Sequence, residues 1–234
     1  MVYGRVMNRK VTDEMNNFLL HPDEVRNALF QMHPTKSPSP DGMPPLFFQN
    51  YWSIVGSNII ECVLNILNTG VMLLKFNDTH ICLIPKTKNP QKITEYRLIS
   101  LCNVVYRVLA KVLANRLKKI LPEIVSEAQS ASVPRRLITD NVLIAFETMH
   151  QIKQRRKGKE GLMAIKLDMS KAFDRVEWDC LARVMQKMGF HDRWISIIMM
   201  CITSVSYSVL INGEPNGKII PSRGIRQGIC YRHS

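Results

Sequence analysis

Three kinds of feature are missing from this sequence, and each absence narrows the range of possible functions. No two of the six cysteines lie closer than 20 residues, so the chain has no CxxC pair for zinc or redox chemistry. No apolar run reaches the ~18 residues that a membrane span needs, and the N-terminal MVYGRVMNRK lacks the apolar core of a signal peptide. We therefore expect an intracellular protein, nuclear or cytoplasmic, with reduced thiols and no membrane partner.

Acidic residues are also scarce, and this scarcity points to a partner. The chain has 32 Lys and Arg against 19 Asp and Glu, a net charge of +13. Much of the excess falls between positions 75 and 160, which hold 17 basic and 7 acidic residues. A positive field of this kind attracts polyanions, of which nucleic acid is the commonest. With 46% hydrophobic residues the chain is globular in composition, so a basic protein that is merely soluble is the alternative.

Apolar periodicity predicts an α+β fold, in the order helices, hairpin, helices, strand, two helices and strand pair. We expect helices over 22–32, 46–68, 104–121, 139–155, 178–188 and 194–201, and strands over 79–85, 96–101, 163–167, 206–211 and 218–221. Gly70 is the expected stop of the second helix and Pro122 the end of the third. The prolines between positions 34 and 45 make that stretch an ordered loop or a linker.

Two basic surfaces are candidates for nucleic-acid or phosphate binding. The predicted hairpin carries Lys86 and Arg97 near its tip, where they suit phosphate oxygens, although spacing alone favours an ordinary charged hairpin end. In the helix over 104–121, basic residues stand near one face at steps of four and seven, without acidic residues within that helix. These residues are Arg107, Lys111 and Lys118. A solvated face normally mixes both signs, so the pattern favours a nucleic-acid-facing surface, which the following loop extends with Arg135 and Arg136.

The stretch MAIKLDMSKAFDRVEW, over 163–178, holds the candidate catalytic carboxylate. Met163, Ile165 and Leu167 alternate with smaller or charged residues, which is the period of a strand with two different faces. Asp168 therefore falls at the end of the predicted strand, on the face opposite the three apolar side chains. A carboxylate in this place suits a metal ion, but a lone aspartate after a strand is by default a turn or helix-capping residue.

Five stretches follow one another along the chain: SPSPDGMPPLFF, ITEYRLISLCNVVYRVLAKVLANRL, SEAQSASVPRRLITDNVLIAFE, AIKLDMSKAFDRVEW and SRGIRQG. In order and spacing they resemble the successive motifs of reverse transcriptases of non-LTR (LINE-type) retrotransposons. One short motif would be weak evidence, whereas five in order are specific. The resemblance covers residues 20–228, which is nearly the whole chain.

The resemblance implies a right-hand polymerase (reverse transcriptase) fold, with fingers plus an incomplete palm. On this resemblance a fingers-like region with upstream helices covers residues 20–160 and a partial palm covers residues 161–228. The N-terminal segment over 1–19 stays unassigned, and residues 229–234 are a divergent tail. The implied partners are an RNA template, a DNA primer and a deoxynucleoside triphosphate, and the implied cofactor is Mg²⁺. Template-directed synthesis uses two divalent ions, which activate the primer hydroxyl and stabilise the transferring phosphoryl group.

The resemblance also assigns roles to single residues. Asp168 matches the family's first catalytic, metal-binding aspartate. Phe173 matches the position whose ring excludes a ribose 2′-hydroxyl, although outside this motif a phenylalanine would by default belong to the core. Arg97 matches the arginine that holds the incoming triphosphate, for which a guanidinium fork is suited, and Lys86 serves the same phosphates.

The last motif carries two further site residues, and the chain also departs from the family pattern. Gln227 and Gly228 match the loop against the incoming nucleotide and template, where a glycine allows close backbone approach. Ser39 and Arg135 stand where the family usually has glycine. After Gly228 the resemblance stops, and the sequence contains no Asp-Asp pair to match the family's second catalytic motif.

Because the Asp-Asp motif is missing, we expect one of two main functions. The first is a fragment of an RNA-directed DNA polymerase, serving retrotransposition, that is inactive alone because its metal centre is incomplete. The alternative is a non-catalytic nucleic-acid-binding remnant that uses the basic fingers surface. A structural helical protein and a metal-dependent nuclease are weaker alternatives, the latter because clustered carboxylates and histidines are absent.

Overall fold

The computed structural model describes residues 21–126, 129, 133, 136–154 and 163–226. Within these residues the helices are α1 (Pro22–Phe30), α2 (Pro45–Asn50), α3 (Trp52–Thr69), α4 (Val104–Ile124), α5 (Ile138–Gln154), α6 (Trp178–Lys187) and α7 (Asp192–Thr203). The strands are β1 (Asp78–Pro85), β2 (Tyr96–Cys102), β3 (Ser206–Ile211) and β4 (Glu214–Ile219). None of the described helices is both long enough and apolar enough to cross a bilayer.

One mixed sheet organises the strands in the order β2–β1–β3–β4. β1 and β2 pair antiparallel, which confirms the predicted hairpin. β3 and β4 form a second antiparallel pair, joined by Asn212 and Gly213 at φ of 53° and 88°, as a tight hairpin turn requires. β3 lies parallel to β1, with Asp78 opposite Ser206. This parallel pairing, which joins distant parts of the chain, was not predicted, but sheet and helices together agree with the α+β class.

A helical core lies beside this sheet and is built from the apolar stripes of α1, α3, α4 and α7. Val25, Leu29, Val63, Leu67, Val104, Val108, Leu109, Trp194 and Ile197 have almost no exposed surface. They form one cluster, which partly buried side chains from α2 and α6 extend. The apolar stripes of α1, α4 and α7 are therefore largely buried, because a helix must cover its apolar stripe to stay folded.

An ion pair fastens α1 to α4. Arg116 donates from two nitrogens to both carboxylate oxygens of Glu24, each at 2.8 Å. The hydrogen bonds from Arg116 outweigh partial burial and lower the pKa of Glu24. This charge on α4, for which its own helix offers no acidic partner, is therefore neutralised by a neighbouring helix.

Arg107 does not lie on an exposed basic face. Its side chain is buried, with 4% of its surface exposed, and burial lowers its pKa. It donates to the carbonyl oxygen of Ser37 at 2.7 Å and to the hydroxyl of Ser39 at 3.2 Å. The prediction that Arg107 contacts nucleic acid is therefore wrong in its premise. The residue instead fixes the proline-rich loop against α4, and Ser39, a departure from the family pattern, is one of its acceptors.

Two helix boundaries differ from the sequence expectation. The helix predicted over 46–68 is interrupted at Tyr51, whose φ of −99° and ψ of 25° leave the helical region. Gly56 lies inside α3 under the ring of Trp52, where a Cβ would come within 2.7 Å of the ring. α4 runs past Pro122 to Ile124, because a proline near the helix end removes only one of its last hydrogen bonds.

The expected strand over 163–167 is absent, and this prediction is wrong. The segment forms no regular element, and Met163, Ile165 and Leu167 are 80%, 68% and 90% exposed. A strand needs a neighbour for its backbone hydrogen bonds, and none of the four described strands pairs with this segment. The apolar side chains of α5 are likewise not buried. Phe146 is 71% exposed, because no described element covers that helix.

We expect Arg107→Ala to destabilise the fold by about 2 kcal/mol, because Ser37 and Ser39 would lose buried hydrogen-bond donors. Urea unfolding measures the change. Arg26→Ala removes an exposed arginine from α1 and serves as the matched control, with an expected effect within about 0.5 kcal/mol. At temperatures where both variants are folded, their RNA affinities should agree. Lower RNA affinity in R107A with unchanged stability would contradict the structural role.

Candidate nucleotide and nucleic-acid site

Two motif segments meet in space: residues 173–178, which follow Asp168, and residues 223–226, which end the described chain. Ile225 donates its backbone N–H to the carbonyl of Phe173 at 2.9 Å, and Gly224 donates to that of Val176 at 2.7 Å. The indole N–H of Trp178 donates back to the carbonyl of Gly224 at 2.8 Å. Residues 223–226, here called the docking segment, thus lie against residues 173–178, as two motifs of one site should.

Glycine makes this close approach possible. Gly224 has a φ of +87°, a conformation that other residues rarely adopt. A Cβ at this position would stand 3.0 Å from the carbonyl oxygen of Asp174 and 3.2 Å from its Cα. Any larger residue would therefore push the docking segment away from the turn that carries Phe173.

Phe173 stands at the surface. It begins a short 3₁₀ turn, Phe173–Arg175, and its side chain is 49% exposed. The default expectation of a core phenylalanine is therefore wrong, and the ring is available to a ligand. Lys171, two residues earlier, has a φ of 53°, and such sparsely populated backbone is often found at functional turns.

Asp168 lies in the irregular segment before this turn and is exposed. The resemblance implies a metal centre at this carboxylate. In the described ranges no three His, Cys, Asp or Glu side chains come together in a way that would hold a metal ion. The described residues thus gather no set of ligands around Asp168 that fits a two-ion centre.

Sequence reasoning missed Arg226, the best-anchored residue of the docking segment. One terminal nitrogen donates to the hydroxyl of Thr79 at 2.7 Å. The other donates to the side-chain oxygen of Asn77 and, at 3.5 Å, to the carbonyl of Cys201. The guanidinium carbon lies 4.2 Å from the ring centre of Tyr106, a cation–π contact.

These partners form a fixed polar pocket, here called the cradle: Asn77, Thr79, Cys102, Tyr106 and Cys201. Asn77 and Thr79 are 0% and 1% exposed. Asn77 also donates to the carbonyl of Cys201 at 3.0 Å, and the Tyr106 hydroxyl donates to the same carbonyl at 3.1 Å. The cradle joins the start of β1, the end of β2, α4 and the end of α7. Only the Arg-Gln-Gly motif itself could have drawn attention to Arg226, since its partners are distant in sequence.

The hairpin brings Lys86 and Arg97 to one face. Arg97 is opposite Ile84 in the register, and the backbone N–H of Lys86 bonds to the carbonyl of Glu95. Since side chains alternate along strands, Lys86 and Arg97 are diagonal neighbours on the same face. Both are exposed, and the ammonium of Lys86 also donates to the carbonyl of Thr94 at 2.9 Å.

The other predicted nucleic-acid residues have different surroundings. Lys111 and Lys118 are half-buried on α4. Arg136 closes the turn after α4, since its terminal nitrogens donate to the carbonyls of Val125, Ser126 and Gln129. This anchoring role was not predicted. Arg135, Gln227 and Gly228, like the segments 1–19 and 229–234, lie outside the described residues.

Comparison of the sequence with known proteins identifies the family that it resembles. The reverse transcriptase (RNA-dependent DNA polymerase) family model matches residues 84–231. The chain is 32% identical to the Transposon TX1 uncharacterized 149 kDa protein of Xenopus laevis, over 88% of this chain and 16% of that protein.

Two further relatives are retrovirus-related Pol polyproteins. The chain is 24% identical to that of the type-1 retrotransposable element R2 of Popillia japonica, over 62% of this chain and 20% of the relative. It is 25% identical to that of the type-2 element R2DM of Drosophila melanogaster, over 83% and 18%. The chain thus spans a fifth or less of the length of these relatives. The family match and these relatives confirm the resemblance: the chain belongs to the reverse transcriptase family, in its non-LTR, LINE-type branch.

Proposed function

We propose that this chain supplies the nucleotide-facing fingers and part of the palm of a right-hand polymerase that copies RNA into DNA for retrotransposition. The observation that supports it best is the docking of residues 223–226 against residues 173–178. Two motifs about 50 residues apart in sequence meet at an exposed aromatic ring. In this proposal residues 20–160 are the fingers-like region and residues 161–228 belong to the palm.

The proposed partners are an RNA template, a DNA primer and a deoxynucleoside triphosphate. The ring of Phe173 would overlap a ribose 2′-hydroxyl and so favour deoxyribose. Arg97 and Lys86 share one exposed face of the hairpin, where their charges suit the triphosphate. Lys111 and Lys118 would contact the nucleic-acid backbone, which carries most of the affinity in such complexes.

Three further motif residues, which lie outside the described ranges, complete the proposed surface. Gln227 and Gly228 follow Arg226 directly in sequence. They would lie against the incoming nucleotide and template. Arg135 belongs to the basic loop after α4 and would add to the nucleic-acid surface. In the intact family site Mg²⁺ would bind Asp168 together with the carboxylates of the Asp-Asp motif.

A non-catalytic nucleic-acid-binding module is the second candidate. The observation that favours it is the solitary position of Asp168, since the sequence holds no Asp-Asp pair and the described residues gather no set of three ligands around it. Under this alternative the hairpin and α4 would bind RNA, whereas Phe173 would not distinguish between sugars.

Replacement of both Lys111 and Lys118 by alanine should weaken RNA binding and its dependence on salt. Loss of two phosphate contacts should make the slope of log K against log salt less negative by about 1.4 for a single strand. Fluorescence anisotropy with labelled RNA between low and moderate salt measures it. The double variant Arg183→Ala/Lys187→Ala, which removes two exposed charges from α6, should leave the slope unchanged. Equal slopes for both double variants would exclude α4 from the interface.

We expect the purified 234-residue chain not to extend a DNA primer on an RNA template in Mg²⁺, because one candidate carboxylate cannot hold two metal ions. A gel assay with radiolabelled primer measures extension, with a complete reverse transcriptase as positive control. Extension by this chain that disappears in Asp168→Ala would contradict the expectation and would show that the chain completes the metal centre by itself.

A further inference from the structure

The guanidinium of Arg226 is partly buried without the carboxylate partner that usually compensates for such burial. Among the described residues no carboxylate forms an ion pair with this guanidinium. Its partners are an amide, a hydroxyl, a thiol, a carbonyl and an aromatic ring, and none of them is a carboxylate. The neighbouring Tyr207 stays neutral, because burial raises the pKa of its phenol. Removing a cation from water without a counter-charge is unfavourable, so a hydrophobic residue would serve a purely packing role better.

The fork of the guanidinium gives the docking segment a defined position. Its two terminal nitrogens reach acceptors on different elements, Thr79 on β1 and Cys201 on α7. Those acceptors are fixed, because Thr79 and Cys201 are 1% and 5% exposed. A lysine, with one compact ammonium on a flexible stem, could not reproduce this planar arrangement.

From this anchor a short path leads to the exposed ring. Ile225, the residue before Arg226, donates its N–H to the carbonyl of Phe173 at 2.9 Å. Gly224 packs its Cα against the backbone of Asp174, the residue after Phe173. On the other side of the turn, residues 163–169 form no regular element and expose their apolar side chains. Among the described residues, the docking segment is therefore the main support of the turn that carries Phe173.

We propose that Arg226 is a positioning residue that sets the place of the Phe173 ring and thereby contributes to the choice of deoxyribose over ribose. The inference rests on the proposed role of Phe173 as the group that excludes the 2′-hydroxyl. Arg226 does not touch the nucleotide in this proposal. It acts through the backbone hydrogen bond between Ile225 and Phe173, which holds the ring at a fixed distance from the cradle.

The first test compares sugar preference. Anisotropy is measured for dGTP and GTP labelled on the γ-phosphate, so that the sugar is unmodified, with an RNA-template and DNA-primer duplex ending opposite cytosine. Wild type should bind the deoxyribonucleotide more tightly, and Phe173→Ala should lose the preference. Arg226→Lys should reduce the preference about tenfold, as small misplacements of a recognition group do. Arg183→Lys, at an exposed position on α6, should keep it.

The second test measures the stability of the backbone hydrogen bond donated by Ile225. In hydrogen exchange followed by NMR, the Ile225 amide should exchange about tenfold faster in Arg226→Lys than in wild type, because its local opening becomes easier. Arg183→Lys, on the exposed face of α6, should leave this rate unchanged. If Arg226→Lys does not fold, Thr79→Val removes one acceptor with little change in shape and should shift both readouts in the same direction.

The outcomes separate this inference from the proposed function. If Phe173→Ala loses the sugar preference but Arg226→Lys retains it, the positioning role is wrong and the proposed function stands. If Arg226→Lys lowers stability and weakens both nucleotides equally, Arg226 is only structural and the inference is overturned. If wild type shows no preference, or Phe173→Ala leaves it unchanged, the role of Phe173 and the inference both fail. RNA binding, measured separately through the lysines of α4, still tests the nucleic-acid part of the function.

Discussion

The contact between the guanidinium of Arg226 and its neutral cradle is the interaction on which the arrangement of the site depends. It joins β1, β2, two core helices and the docking segment at one point. Without it the docking segment would be held to the rest of the molecule chiefly by its bonds to the turn after Asp168. The partly buried charge costs free energy, but several directed hydrogen bonds and the Tyr106 ring offset that cost. Position, more than stability, is what such an arrangement provides.

Arginine and lysine side chains occupy different environments in this molecule. Arg107, Arg116, Arg136, Arg193 and Arg226 all donate to internal partners, from loop carbonyls to a carboxylate. The planar, weakly hydrated guanidinium suits such enclosed sites, whereas the strongly hydrated ammonium of lysine remains near water. Net charge therefore overstates how much basic surface faces a nucleic acid. The lysines of the hairpin and α4, together with Arg97, are better candidates than the arginines that the charge pattern first suggested.

Local signals in the sequence predicted the local structure well. Alternation and turn residues predicted the hairpin of β1 and β2 and the place of β3, and Gly70, with φ of +70°, ends α3 where the pattern placed the stop. The strand after β3 was expected over 218–221, whereas β4 runs over Glu214–Ile219. Long-range features escaped prediction because they depend on which strand finds which neighbour. The parallel pairing of β1 with β3 and the cradle both join parts of the chain that are distant in sequence, and the stretch before Asp168 found no strand partner among the described residues. Arg107 was misassigned for the same reason: periodicity places a residue on a face but does not show what covers that face.

A double-mutant cycle tests most directly whether the cradle holds Arg226 as a coupled unit. The free energies of unfolding are measured for wild type, Arg226→Met, Thr79→Val and the double variant. If the hydroxyl of Thr79 and the guanidinium act together, the effects should be non-additive by about 1 kcal/mol or more, as for residues in one hydrogen-bond network. Additivity within about 0.3 kcal/mol would show that the two residues contribute independently, and would contradict the coupling on which the position of the docking segment is argued to depend.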